Sequence, residues 1–155
     1  METAMLSDPQ IQNFTYGIAA FVLIVSAHII LLHGLSALFR QRPAGEFSKG
    51  RFAAEIRFVL QVIAGLFAIS LATNLMWGGF IAAMGVVPAY RNAVFYALEN
   101  YTSLGLTRVQ VDPQWRTLAP LISLSGVFCL AWSTAILVTV FNHVYALKRG
   151  EREYR

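Results

Sequence analysis

The sequence predicts an all-α membrane protein with three transmembrane helices and a short fourth helix folded back between the last two. Three observations carry that prediction. Of the 155 residues, 57% are hydrophobic and only 13% are charged, where a soluble domain carries about 25% charged residues. Three apolar stretches are each long enough to cross ~30 Å of hydrocarbon at ~1.5 Å per residue. Finally, the amphipathic run 91–99 and the polar run Asn100-Tyr101-Thr102-Ser103-Leu104-Gly105-Leu106-Thr107 fit neither a span nor a plain connection. Together they are too short and polar to span, yet too apolar and aromatic for an ordinary loop.

The first span covers residues 14–39. No Lys or Arg precedes it, and it is longer than the ~7–15-residue apolar core of a cleavable signal, so it is expected to be a retained helix. The second covers 58–87 and is expected to stop at Pro88, whose ring cannot continue a helix. The third covers 118–147, entered through Trp115-Arg116 and closed by Lys148-Arg149-Gly150. Pro120 falls in its first turn, where a missing N–H costs least. Residues 40–57 carry Pro43, Gly45 and Gly50 and begin as a turn, continuing from about Phe47 as a short interfacial helix. The chain thus divides into an arm, peripheral helix and basic connection (1–57), a second module (58–147) and a short tail (148–155).

Charge sets the expected orientation. Arg40, Arg42, Lys49, Arg51 and Arg57 lie in the first connection, and Lys148, Arg149, Arg152 and Arg155 in the tail; the opposite side holds only Arg91, Arg108 and Arg116. Basic residues accumulate on the cytoplasmic side, so the connection and C-terminus are expected inside and the N-terminus outside. The net charge of +4 then reflects topology and contact with anionic lipid headgroups, and no nucleic-acid partner is expected. Trp77, Tyr90, Tyr101, Trp115 and Tyr145 are expected at the membrane interfaces as an aromatic belt. The single cysteine, Cys129, excludes an intrachain disulfide and is expected as a small core residue.

Between the second and third spans, Ala93, Val94, Ala97 and Leu98 recur at helical spacing before Tyr101. A half-helix delivering a Thr/Ser/Gly strand to membrane depth is how a pore loop is built, because hydroxyls and backbone carbonyls replace an ion's water shell. Irregular backbone survives at that depth only where protein or a water-filled cavity satisfies it. One copy encloses nothing, so the reading implies a ring of copies.

Over residues 68–139 the chain resembles the two-helix pore domain of small bacterial potassium-channel-like proteins. The resemblance rests on Trp77, on Ala93-Val94-Phe95-Tyr96-Ala97-Leu98 as pore helix and on Tyr101-Thr102-Ser103-Leu104-Gly105 as filter entry. Trp115-Arg116, Gly126 and Trp132-Ser133-Thr134-Ala135 supply the inner-helix features. It implies a homotetramer in a bacterial inner membrane, with an ion filter at Thr102, Ser103, Leu104, Gly105, Leu106 and Thr107. Leu106, Thr107 and Arg108 depart from the family pattern of an aromatic, a second glycine and an acid. A β-branched Thr107 reaches a glycine's conformation only with strain, and a ring of Arg108 side chains favours anions over cations. Glu99, nine residues earlier, is placed to pair with Arg108 at the filter mouth and offset that charge.

Ser125, Cys129 and Ser133 recur every fourth residue with Gly126 beside them. They form either a cavity wall or gate with Gly126 as a bend, or a stripe for close helix packing. Gly17, Gly34, Gly65, Gly78 and Gly79 are expected as packing contacts. His28 and His33 are spaced to point ~140° apart, which disfavours a shared metal site, and a His28–His143 haem lacks any supporting motif. The expected function is a passive, weakly cation-selective pore-loop channel rather than an enzyme. Its permeant species is a monovalent ion, with no cofactor, metal or small-molecule substrate expected. The alternative is a nonconducting structural or accessory subunit that keeps the fold.

Overall fold

The computed structural model describes residues 9–40, 52–106 and 109–153, and all regular structure among them is helical. The order is α1 (Pro9–Arg40), α2 (Phe52–Ala83), the short α3 (Tyr90–Tyr101), a 3₁₀ turn (Pro113–Trp115) and α4 (Leu118–Glu153). Helices α1, α2 and α4 are long and apolar enough to cross a membrane. Each exceeds the ~20 residues needed, whereas the 12 residues of α3 reach only ~18 Å and cannot span. The interfacial helix expected from Phe47 lies largely outside the described residues, although α2 begins at Phe52, six residues before the expected span.

At its far end α2 stops at Ala83, four residues short of expectation, and Pro88 is not the cause. Gly85 adopts φ +66°. Its N–H bonds the carbonyl of Ala82 at 3.1 Å, and that of Val86 bonds Ile81 at 3.1 Å. This pair is the Schellman C-cap, in which a left-handed residue turns the chain back onto the helix's last free carbonyls. Pro120 does lie in the first turn of α4, as expected.

Two apolar clusters hold the bundle. One lies at the end that carries α3 and gathers Ile24, Trp77, Ile81, Ala93, Ala97 and Ile122. The other gathers Leu32, Phe58, Val62, Leu66 and Ile69 with Ile136, Leu137 and Val140 packed against them. Gly17, Gly65 and Gly78 are packing contacts as expected: a Cβ there would meet Leu121, Leu35 and Val94 at 2.9, 2.8 and 2.6 Å. Gly34 and Gly79 have nothing within 4 Å of a Cβ and are not. The aromatic-belt expectation needs correction for three residues. Trp77 and Trp115 are buried inside the bundle and the Tyr101 hydroxyl is buried within it, while Tyr90 and Tyr145 are exposed.

Candidate functional site

Helix α3 packs against both α2 and α4 and runs antiparallel to α2. Val94 in its first half meets Gly78, whereas the Tyr101 hydroxyl at its last residue lies beside Ser70. Ser70 is some 20 Å back from the end of α2 at 1.5 Å per residue. The C-terminal end of α3 therefore reaches well down the flank of the long helices.

Two contacts fix that end on α4. Ser123 Oγ donates to the carbonyl of Asn100 at 2.8 Å, and the backbone of Tyr101 rests directly on Gly126. Asn100 is itself buried, with its amide donating to the Tyr96 carbonyl at 2.8 Å. Ser123 was not among the residues expected from sequence to matter, because a lone hydroxyl gives no pattern. Ser123→Ala is expected to lower stability by about 1 kcal/mol, the net worth of one such bond; equilibrium unfolding in mixed micelles would measure it.

The Thr102–Gly105 segment curls rather than running on as a strand. Ser103 takes φ +58°, its N–H bonds Asn100 O at 2.9 Å, and the N–H of Leu104 bonds Glu99 O at 2.9 Å. This is again the Schellman pattern, here with serine in the left-handed position that glycine usually fills. The N–H of Gly105 also reaches Glu99 O, at 3.2 Å. The physical reason is that the last carbonyls of α3 have no intrahelical partner and capture the nearest N–H groups. Thr102 Oγ1 likewise donates to Leu98 O at 2.8 Å. Residues 102–106 are all exposed, with Leu104 and Leu106 at 64% and 74%. Thr107 and Arg108 lie outside the described residues, and with them the expected Glu99–Arg108 pair.

The Ser125, Gly126, Cys129 and Ser133 stripe is buried within the chain's own bundle and faces no outer surface of it. Ser125 Oγ accepts from Trp77 Nε1 at 2.9 Å and donates to Ile122 O at 2.7 Å. Gly126 is a point of close approach and not a bend. The outward face of α4 is instead apolar, with Leu124, Val127, Leu130 and Val138 exposed.

His28 is wholly buried on α1. Its Nδ1 lies 2.8 Å from Thr73 Oγ1, whose proton goes to Ile69 O at 2.9 Å. The ring faces the backbone of Cys129, ~21 Å along α4 from position 143, which separates the two histidines of the haem alternative. The side chain of His143 lies outside the described residues. His33 is exposed, with Nδ1 3.3 Å from Ile29 O. Among the described residues no three His, Cys, Asp or Glu side chains converge on a metal site.

Comparisons with known protein families, with characterised proteins and with solved structures return no match to this chain.

Proposed function

We propose that the chain is the subunit of a passive pore-loop ion channel, assembled as a homotetramer around the exposed Thr102–Leu106 turns. The observation that carries this reading is the placement of α3: a helix too short to span lies antiparallel along α2, with the hydroxyl of its last residue beside Ser70, some 20 Å from the end of α2. Such a half-helix delivers irregular backbone to membrane depth, where only neighbouring protein or a water-filled path can satisfy it. Four copies of such a turn supply that path through Ser103, Leu104 and Gly105, which are exposed in the single chain. The apolar exposed face of α4 lies between subunits or against lipid. Nine basic residues on one side against three on the other orient the N-terminus outward.

A second reading has its own support. Curling of Ser103, Leu104 and Gly105 onto the end of α3 ties up N–H groups and closes the turn, as a nonconducting membrane subunit that retains the fold would tolerate. Purified protein in planar bilayers separates the two. The channel passes current that reverses near the monovalent cation equilibrium potential. No current under any ion gradient sinks the channel reading and leaves the accessory one.

Arg108→Asp tests the mouth. Exchanging a ring of positive charges for negative ones is expected to raise the cation-to-chloride permeability ratio several-fold, read from reversal potentials in potassium, sodium and chloride gradients. An unchanged ratio places the side chain away from the path.

A further inference from the structure

Between the two apolar clusters lies a polar layer to which every helix of the bundle contributes. On α1, His28 falls between Ile24 of one cluster and Leu32 of the other. On α2, Ser70, Thr73 and Asn74 fall between Ile69 and Trp77. On α4, Cys129 and Ser133 fall between Ile122 and Ile136. The end of α3 adds Tyr101, whose hydroxyl lies beside Cys129 and Ser70. Within this layer His28 Nε2, both polar atoms of the Asn74 amide and Ser133 Oγ are buried without a hydrogen-bond partner, and Tyr101 Oη has only the side chains of Cys129 and Ser70 beside it. His28, Asn74 and Ser133 are at least nine-tenths buried, at 0%, 1% and 8% exposed. So many unmatched polar atoms in the middle of an apolar bundle call for a partner, because each one left alone carries its full desolvation cost.

The chemistry of the set selects that partner. It mixes an acceptor (Asn74 Oδ1) and a donor (Asn74 Nδ2) with a ring nitrogen of His28 and hydroxyls that do either, and none of its members is a carboxylate or guanidinium. An ion would enter with no opposite charge to compensate its lost hydration. A neutral ligand that both donates and accepts answers all of them, and a buried water makes about three such bonds. We propose that the layer formed by His28, Asn74, Tyr101 and Ser133 is an internal hydration site, binding water in the interior of each subunit. The site stands apart from the exposed turn 102–106 and does not depend on whether the chain conducts.

The test compares two sulfur side chains under hydroxyl-radical footprinting of the full chain in lipid nanodiscs. Cys129 is wholly buried at the polar layer, whereas Met76 is 41% exposed on the outside of α2. Radiolysis of bound water generates radicals locally, so Cys129, after normalisation to the intrinsic reactivities of a free thiol and a free thioether, is expected to be oxidised several-fold faster than Met76. Oxidation of Cys129 no faster than Met76 overturns the proposal. Asn74→Leu and Ser133→Ala give an independent readout by denaturant unfolding. Loss of a water-bonded group lowers the unfolding midpoint, whereas removal of a dry, unmatched group leaves it unchanged or raises it. A lowered midpoint in Ser133→Ala, which alters little volume, supports the site even where Asn74→Leu does not fold. An unchanged or raised midpoint in Ser133→Ala overturns it.

Discussion

Gly126→Ala is expected to displace α3 from α4 and to destabilise the chain by about 1–3 kcal/mol, the usual cost of overpacking. A Cβ at position 126 would stand 2.9 Å from the carbonyl carbon of Tyr101, 3.3 Å from its Cα, and closer still to its oxygen. These are backbone atoms, so no rotamer change relieves the clash. The adjacent Ser123–Asn100 bond at 2.8 Å resists a sideways shift of the same segment. The comparison that isolates this effect is Gly34→Ala, where nothing lies within 4 Å of the new methyl. That change is expected to stabilise by roughly 0.4–1 kcal/mol, because alanine loses less entropy than glycine on entering a helix. Equilibrium unfolding of both variants in the same micelles checks the sign of each. A Gly126→Ala protein as stable as wild type would mean that α3 does not dock as described. In the channel reading the same variant should also lose conductance, since the turn at residues 102–106 hangs from Tyr101.

Trp77→Ala is expected to have a still larger effect on stability, about 3–5 kcal/mol, as for other fully buried aromatic truncations. Trp77 is 0% exposed and meets Phe80 edge-on with centroids 6.0 Å apart. Its indole N–H donates to Ser125 at 2.9 Å, so the side chain ties α2 to α4 by both packing and polarity. Trp77→Phe keeps most of the ring and loses the donor, and it should cost about 1 kcal/mol. A double-mutant cycle with Ser125→Ala isolates the bond itself. The coupling expected is ~0.6 kcal/mol, with ~1.7 as an upper bound for hydrogen bonds between membrane helices. A coupling near zero would show that Trp77 acts through packing alone.

The large elements were legible because their physics is summed along the chain. Three apolar runs gave three long helices, and the recurrence of Ala93, Val94, Ala97 and Leu98 gave α3. Helix ends are less legible. Pro88 is a helix stop by sequence, but the turn at Gly85, three residues earlier, satisfies the last carbonyls of α2 and ends the helix first. At Thr102–Gly105 the sequence offered hydroxyls and a glycine for an extended strand. The free carbonyls of α3 compete for the same N–H groups, and in this chain they win. Serine at the left-handed position gives no warning of that cap.

Helical periodicity placed Ser125, Gly126, Cys129 and Ser133 on one face but could not say what that face meets. Trp77, expected at an interface, meets it: a hydroxyl 48 residues away in sequence turned an aromatic anchor into a core residue. What the sequence by itself determined is the set of three helices long and apolar enough to cross a membrane, since hydrophobic length is a property of segments and needs no neighbours. Only the tertiary structure decided that Gly126 seats a carbonyl, that the stripe on α4 faces inward, and that His28, Asn74, Tyr101 and Ser133 share one level of the bundle. Those facts depend on which helix faces which, and helix-to-helix register is fixed by packing between residues far apart in the chain.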